Sequence, residues 1–264
     1  MVLMVRTERL TRRFKEFTAV DSLDLDVNEG EVYGLLGPNG AGKTTTIKML
    51  TTLLPPTSGT ASLAGYDVVH EGKGVKASMG YIPQMLSADG NLTGYENLLV
   101  FSKLYDVPRK ERASRIEESM RFMGVWDVKD RMVRHYSGGM IRRLEIAQSL
   151  LHRPKIILMD EPTQGLDPVA RAAVWGHLKR LRAEYHMTVL LTTHLMDEAE
   201  NLCDRIGIMN RGKMVTEGTP AEIVERSGCE NLDQAFAHFV GESLDQEGDF
   251  SSIRQARKTA RRLG

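Results

Sequence analysis

The feature that constrains this chain most is a change of texture along VYGLLGPNGAGKTTTIKML, residues 32–50. An apolar run suited to a fully buried parallel strand passes into a glycine-rich loop, and the loop into a segment with Ile47 and Leu50 among good helix formers. A strand that turns through glycines straight into a helix limits the chain to α/β folds that offer a helix N-terminus at the strand's carboxyl end. Gly37, Gly42, Lys43 and Thr44 carry the spacing G-x-x-x-x-G-K-[ST]. That pattern fits phosphate. The loop of Gly37, Pro38, Asn39, Gly40, Ala41, Gly42, Lys43, Thr44 and Thr45 can turn backbone N–H groups inward around the oxygens, and the helix adds its partial positive charge. Lys43 would then reach the β- and γ-phosphates, and the Thr44 hydroxyl would ligate Mg²⁺.

Two more apolar runs end at chemistry. In KIILMDEPT the run 156–159 is followed at once by Asp160 and Glu161. Carboxylates at the carboxyl end of a buried strand lie in the crevice where open α/β sheets bind ligands, so Asp160 would hold Mg²⁺ through water and Glu161 would polarise the attacking water. In TVLLTTH the run 189–191 leads to His194. Together the three strands put phosphate cradle, metal ligand, base and γ-phosphate sensor on one edge of one sheet. Along SGGMIRRLEIAQSLL, Met140, Leu144, Ala147 and Leu151 recur at helical spacing, so Ser137 to Gly139 cap a helix N-terminus and form a second anion site.

Composition narrows the rest. With 264 residues, 41% of them hydrophobic, the chain can bury a large core, and its 35 basic and 35 acidic residues give no global field for nucleic acid or an anionic membrane. Cys203 and Cys229 are too few for a disulfide framework and not spaced as metal ligands, which predicts reduced thiols. No window approaches the roughly 20 apolar residues that span a bilayer, and Arg6, Glu8 and Arg9 interrupt the start where a signal peptide needs its apolar stretch. A soluble chain that stays where it is made is the expectation.

The ordered motifs resemble the ATP-binding subunit of an ABC transporter over about residues 4–227. GPNGAGKTT is similar to Walker A, YIPQ ending at Gln84 to the Q-loop, YSGGM to the signature motif, IILMDE to Walker B, GLD ending at Asp167 to the D-loop, and His194 to the switch histidine. The resemblance implies a P-loop NTPase core of RecA-like α/β fold, with a small antiparallel β subdomain and an α-helical subdomain at about 88–152, in a nucleotide-binding domain of residues 1–227. It also implies ATP and Mg²⁺ as cofactors, with Thr44, Gln84 and Asp160 around the metal. ATP would lie in a head-to-tail homodimer, between the Walker A of one chain and Ser137, Gly138 and Gly139 of the other, with Asp167 beside it. A separate transmembrane permease would receive the motion, and the chain would sit in the cytoplasm, peripheral on the inner face of the membrane.

YSGGM in place of LSGGQ resembles the daunorubicin-resistance type of drug and antibiotic exporter, so hydrolysis would power export of drugs, antibiotics or lipid-like compounds. The alternatives are an ABC ATPase that moves no solute and an importer's ATPase. The single cassette, the lack of a long coiled-coil insertion between Gln84 and Ser137 and the lack of a basic DNA-binding stripe in the cassette count against the former. The aromatic that stacks on adenine aligns with Phe14, and Phe17 stands nearby as a competitor. Alternating segments at 5–27 and 60–67 predict the antiparallel subdomain, helical texture between 92 and 133 the helical one, and Val174, Leu178, Leu181 and Tyr185 an apolar stripe behind Pro168. In the extension 228–264, NLDQAFAHFVGES resembles a short helix used for dimer or partner contact, and Arg254, Arg257, Lys258, Arg261 and Arg262 form a basic tail.

Overall fold

In the computed structural model, residues 2–245 are described, with side chains for residues 2–241. The chain begins with a hairpin of β1 (Leu3–Phe14) and β2 (Phe17–Asn28), then β3 (Val32–Leu36) and α1 (Lys43–Leu50). Next come β4 (Ser58–Leu63), β5 (Tyr66–Asp67), α2 (Gly72–Ser78), β6 (Met79–Ile82), α3 (Gly94–Leu104), α4 (Arg112–Phe122) and α5 (Gly138–Leu150). The second half runs β7 (Ile156–Asp160), α6 (Pro168–Tyr185), β8 (Thr188–Thr193), α7 (Met196–Leu202), β9 (Arg205–Asn210), β10 (Lys213–Gly218), α8 (Pro220–Ser227) and α9 (Leu232–Asp245).

Two sheets form, in the orders β2-β1-β4-β5 and β10-β9-β3-β8-β7-β6. The first is antiparallel throughout; in the second only β10 runs against its neighbour. Every residue of β3, β7 and β8 is buried, because a parallel sheet is covered on both faces. Their period of two feeds two cores. Tyr33, Leu35, Ile156, Leu158 and Leu190 pack with α1 and with Val5, Leu23, Leu25 and Val27 of the antiparallel sheet. The alternate residues, Val32, Leu36, Ile157, Met159, Val189 and Leu191, face the helical side with Leu144, Ala147, Val174 and Leu178. In the parallel register Leu36 lies opposite Thr193 and Asp160 opposite Thr192. The carboxyl ends of all three strands therefore meet at one edge.

The helical segment at 92–133 resolves into α3 and α4 with short 3₁₀ turns, and Ile116 and Met120 are core. Tyr185, read from the sequence as part of an apolar stripe, ends α6 50% exposed. Both cysteines are free thiols. Among the described residues no helix is long and apolar enough to cross a membrane. α9 buries Leu232 and Ala235 in the helical-side core, whereas the basic tail lies outside the described residues.

Candidate functional site

The loop after β3 is shaped by backbone that only glycine permits at two points. A Cβ on Gly37 would sit 2.4 Å from the Met209 carbonyl oxygen; one on Gly42, at φ 105°, would sit 2.5 Å from that of Ala19. α1 starts directly afterwards with no side chain capping its N-terminus, which leaves that end for an anion. Residues 38–45 line a cleft of about 290 Å³ together with Phe17, Ala19, Gln84 and Glu161.

Lys43 is buried, and its Nζ donates to the carbonyl oxygens of Gly37 at 2.6 Å and Pro38 at 3.2 Å. It also lies 3.5 Å from the Glu161 carboxylate. Burial lowers the Lys43 pKa from the ordinary lysine value, and the negative charges of Glu161 and Asp160 oppose that shift. Glu161 sits just past β7 at φ 49°, a left-handed conformation costly for a residue with a side chain. Its N–H is held by β8, donating to the Thr192 hydroxyl oxygen at 3.0 Å and the Thr192 carbonyl oxygen at 3.1 Å. The side chain is thereby turned to His194, whose Nδ1 is 3.3 Å from Oε2, and to Gln84, whose Nε2 donates to Oε2 at 3.4 Å and to Gln164 Oε1 at 2.7 Å.

Asp160 is buried one residue earlier. Its Oδ1 accepts from the hydroxyls of Thr192 at 2.6 Å and Thr44 at 3.1 Å. Burial, and then the charge of Asp160, push Tyr81 up to about 12. Thr44, Asp160 and Gln84 make a hard, oxygen-bearing set suited to Mg²⁺. Among the described residues no group of three His, Cys, Asp or Glu side chains could hold a metal alone. The set therefore fits a Mg²⁺ ion that arrives with phosphate oxygens completing its shell, since Mg²⁺ binds through one or two carboxylates plus substrate phosphates.

The ends of β3, β7 and β8 thus bring Lys43, Thr44, Asp160, Glu161 and His194 together, and Gln84 reaches in from the segment after β6. Phe14, Ser137 to Gly139 and Asp167 lie outside that cleft. Phe14 does not line the cleft and stacks instead under the Arg12 guanidinium, 4.6 Å from its ring centroid, while Phe17 does line it. This favours the competitor: the two rings are cross-strand partners, but Phe17 stands on β2 with Ala19, whose carbonyl oxygen lies against Gly42 of the loop, and Phe14 on β1 one strand further away. Ser137, Gly138 and Gly139 are at the N-terminus of α5, outside the cleft; Ser137 caps that helix by accepting the Met140 N–H at 3.3 Å. Asp167 caps α6, its Oδ1 accepting from Val169 N at 3.0 Å and Ala170 N at 2.9 Å.

Sequence reading missed Thr192, Gln164, Arg142 and Glu145. Thr192 had a signal, a polar residue at the end of an apolar run beside His194. Arg142 and Glu145 had none, because charged residues in a helix read as solvent-facing and here both are buried.

Comparison with known proteins adds relatives. A family described as ABC transporter matches residues 20–164. The daunorubicin/doxorubicin resistance ATP-binding protein DrrA of Streptomyces peucetius is 43% identical over 86% of this chain and 69% of its own length. The linearmycin resistance ATP-binding protein LnrL of Bacillus subtilis is 36% identical over 91% of this chain and 77% of its own. A solved ATP-binding subunit of an ABC transporter superposes with a TM-score of 0.79 at 27% identity, covering 89% of this chain and 99% of that one.

Proposed function

The chain belongs to the ABC transporter family as one of its ATP-binding, ATP-hydrolysing subunits, and from that premise we propose that it powers export of drugs, antibiotics or lipid-like compounds through a separate transmembrane permease. The observation that carries the catalytic reading is the seating of Glu161, held by β8 in a strained backbone with Lys43, Gln84 and His194 converging on its carboxylate. Export is supported by the two resistance ATP-binding proteins among the relatives.

In this reading the triphosphate lies along the glycine loop and the N-terminus of α1. Lys43 exchanges its bonds to the Gly37 and Pro38 carbonyls for the β- and γ-phosphate oxygens. Glu161 accepts a proton from the attacking water, and His194 and Lys43 stabilise charge on the γ-phosphoryl group. Thr44, Asp160 and Gln84 would hold Mg²⁺, which would supply positive charge against the charge developing on the phosphate oxygens. Phe17 faces the adenine. A head-to-tail homodimer is supported by the exposed Ser137 and Gly138 at a helix N-terminus that its own cleft does not use. Each chain lends this Ser-Gly-Gly to the ATP of the other, with Asp167 capping the neighbouring helix. The subunit works peripherally on the inner face of the membrane.

Glu161→Gln removes the base but keeps the side chain's shape. ATP binding should persist while hydrolysis falls by about 10²-fold or more; near-normal turnover excludes Glu161 as the base. For the transport reading, tagged chain purified from detergent-solubilised membranes of its source should bring down a polytopic protein in stoichiometric amount. A soluble partner, or none while the ATPase stays active, would count against transport.

A further inference from the structure

The residues that follow β6, 83–88, form neither helix nor strand, yet their backbone is fastened to α5. Arg142 Nη1 donates to the Pro83 carbonyl oxygen at 2.8 Å, and Nη2 to that of Gln84 at 3.0 Å. The same Nη1 donates to Glu145 Oε2 at 3.0 Å. The other oxygen, Glu145 Oε1, accepts the N–H of Ser87, the Ser87 hydroxyl at 3.0 Å and the N–H of Ala88 at 3.3 Å. Both side chains are only 2% exposed.

An ion pair this deep carries a desolvation cost that two apolar side chains of similar volume avoid, so stability alone does not account for it. What the pair supplies is partners for backbone groups of an irregular segment and a planar fork that fixes two successive carbonyls at once. The segment so fixed carries Gln84, whose side chain reaches Glu161 and Gln164 in the cleft. The helix that fixes it, α5, is capped by Ser137, within two turns of Arg142. One rigid body therefore has Gln84 at one end and the Ser-Gly-Gly N-terminus at the other.

We propose that Arg142 and Glu145 are positioning residues, a buried strut through which nucleotide filling one cleft sets the placement of the Ser137–Gly139 end offered to the other ATP. The inference rests on the dimer reading given above. When nucleotide draws Gln84 toward the cleft, the strut carries α5 with it and presents Ser137 for docking. Without the strut, ATP still binds, because neither residue lines the cleft, but the helix end no longer follows.

The test uses ATP-driven dimerisation of the full chain in the Glu161→Gln background, read by light scattering, with ATP affinity read separately by a fluorescent ATP analogue. Arg142→Met with Glu145→Leu removes both charges of the pair and leaves the nearby Glu198 its bonds from Thr163 and Trp175; faster hydrogen exchange at Ser87 and Ala88 reports that the strut is gone. We expect nucleotide affinity within about twofold of the parent and dimerisation that needs at least about tenfold more ATP. Dimerisation at the parent's ATP concentration overturns the strut. If the Glu161→Gln parent itself stays monomeric at saturating ATP, the dimer reading falls and the inference with it. Should the double variant not fold, Arg142→Lys decides on the same terms. It keeps the pair neutral, but its single ammonium cannot reproduce the fork that holds two carbonyls and a carboxylate.

Discussion

Phe17 and Phe14 flank the turn of one hairpin, and only Phe17 lines the nucleotide cleft. The family resemblance points to Phe14 as the adenine platform with Phe17 as a competitor, and nothing local separates the two rings. Strand position does: the two are cross-strand partners, but Phe17 lies on β2, the strand whose Ala19 carbonyl oxygen meets Gly42 of the loop. Stacking of a base on an aromatic contributes about 1–3 kcal/mol. Phe17→Ala should therefore weaken ATP binding about fivefold or more, with Phe14→Ala within about twofold, both read by equilibrium titration. A larger loss in Phe14→Ala would reverse the assignment. Glu161 poses the same problem in another form. Its identity was legible from the apolar run before it, but its left-handed backbone and its tether to Thr192 come from β8, which lies far along the chain.

At the level of elements, helix starts were the most readable feature. Ser137 caps α5 from the position expected, and Pro168 occupies the first turn of α6 with Asp167 as its cap, because capping is written in a few adjacent residues. Stripe ends were less readable. Tyr185 follows the helical period of α6 yet is half exposed, meeting Phe122 edge-on with ring centroids 5.5 Å apart. α9 shows something the resemblance does not imply. The resemblance points to dimer or partner contact, and in addition Leu232 and Ala235 are fully buried in the helical-side core, beside α8 and β9. Leu232→Ala should cost about 2–5 kcal/mol in urea unfolding of the isolated chain. A helix that served only a partner would leave the unfolding midpoint where it was.

The whole molecule has a pH dependence that its balanced composition does not announce. His152 stacks on Tyr105 with ring centroids 4.0 Å apart, and its Nε2 lies 2.9 Å from the Met79 carbonyl oxygen. Burial lowers its pKa from the ordinary histidine value, with Arg115 adding to the shift and the Met79 carbonyl opposing it. His177 is lowered as well, by burial and then by Arg143 and Arg180. In both cases the unfolded chain takes up a proton that the folded one resists, so stability is complete above an unfolded histidine's pKa and declines as pH falls through it. Melting temperature should drop between about pH 7 and 5.5, and His152→Gln should shallow that slope. An unchanged slope would mean that His152 titrates as it does when unfolded.

The sequence alone determined the α/β class, the three buried strands, the glycine loop, the acidic pair and the order in which they come. Each of these is a local pattern, a period of two or of 3.6 or a glycine spacing, and local patterns constrain backbone geometry directly. Tertiary structure alone decided that Thr192 meets Asp160, that Phe17 rather than Phe14 faces the cleft, that α9 is part of the core, and that Arg142 and Glu145 hold the Gln84 segment from within. Those outcomes depend on strand register and on packing between segments far apart in the chain, which no local period encodes.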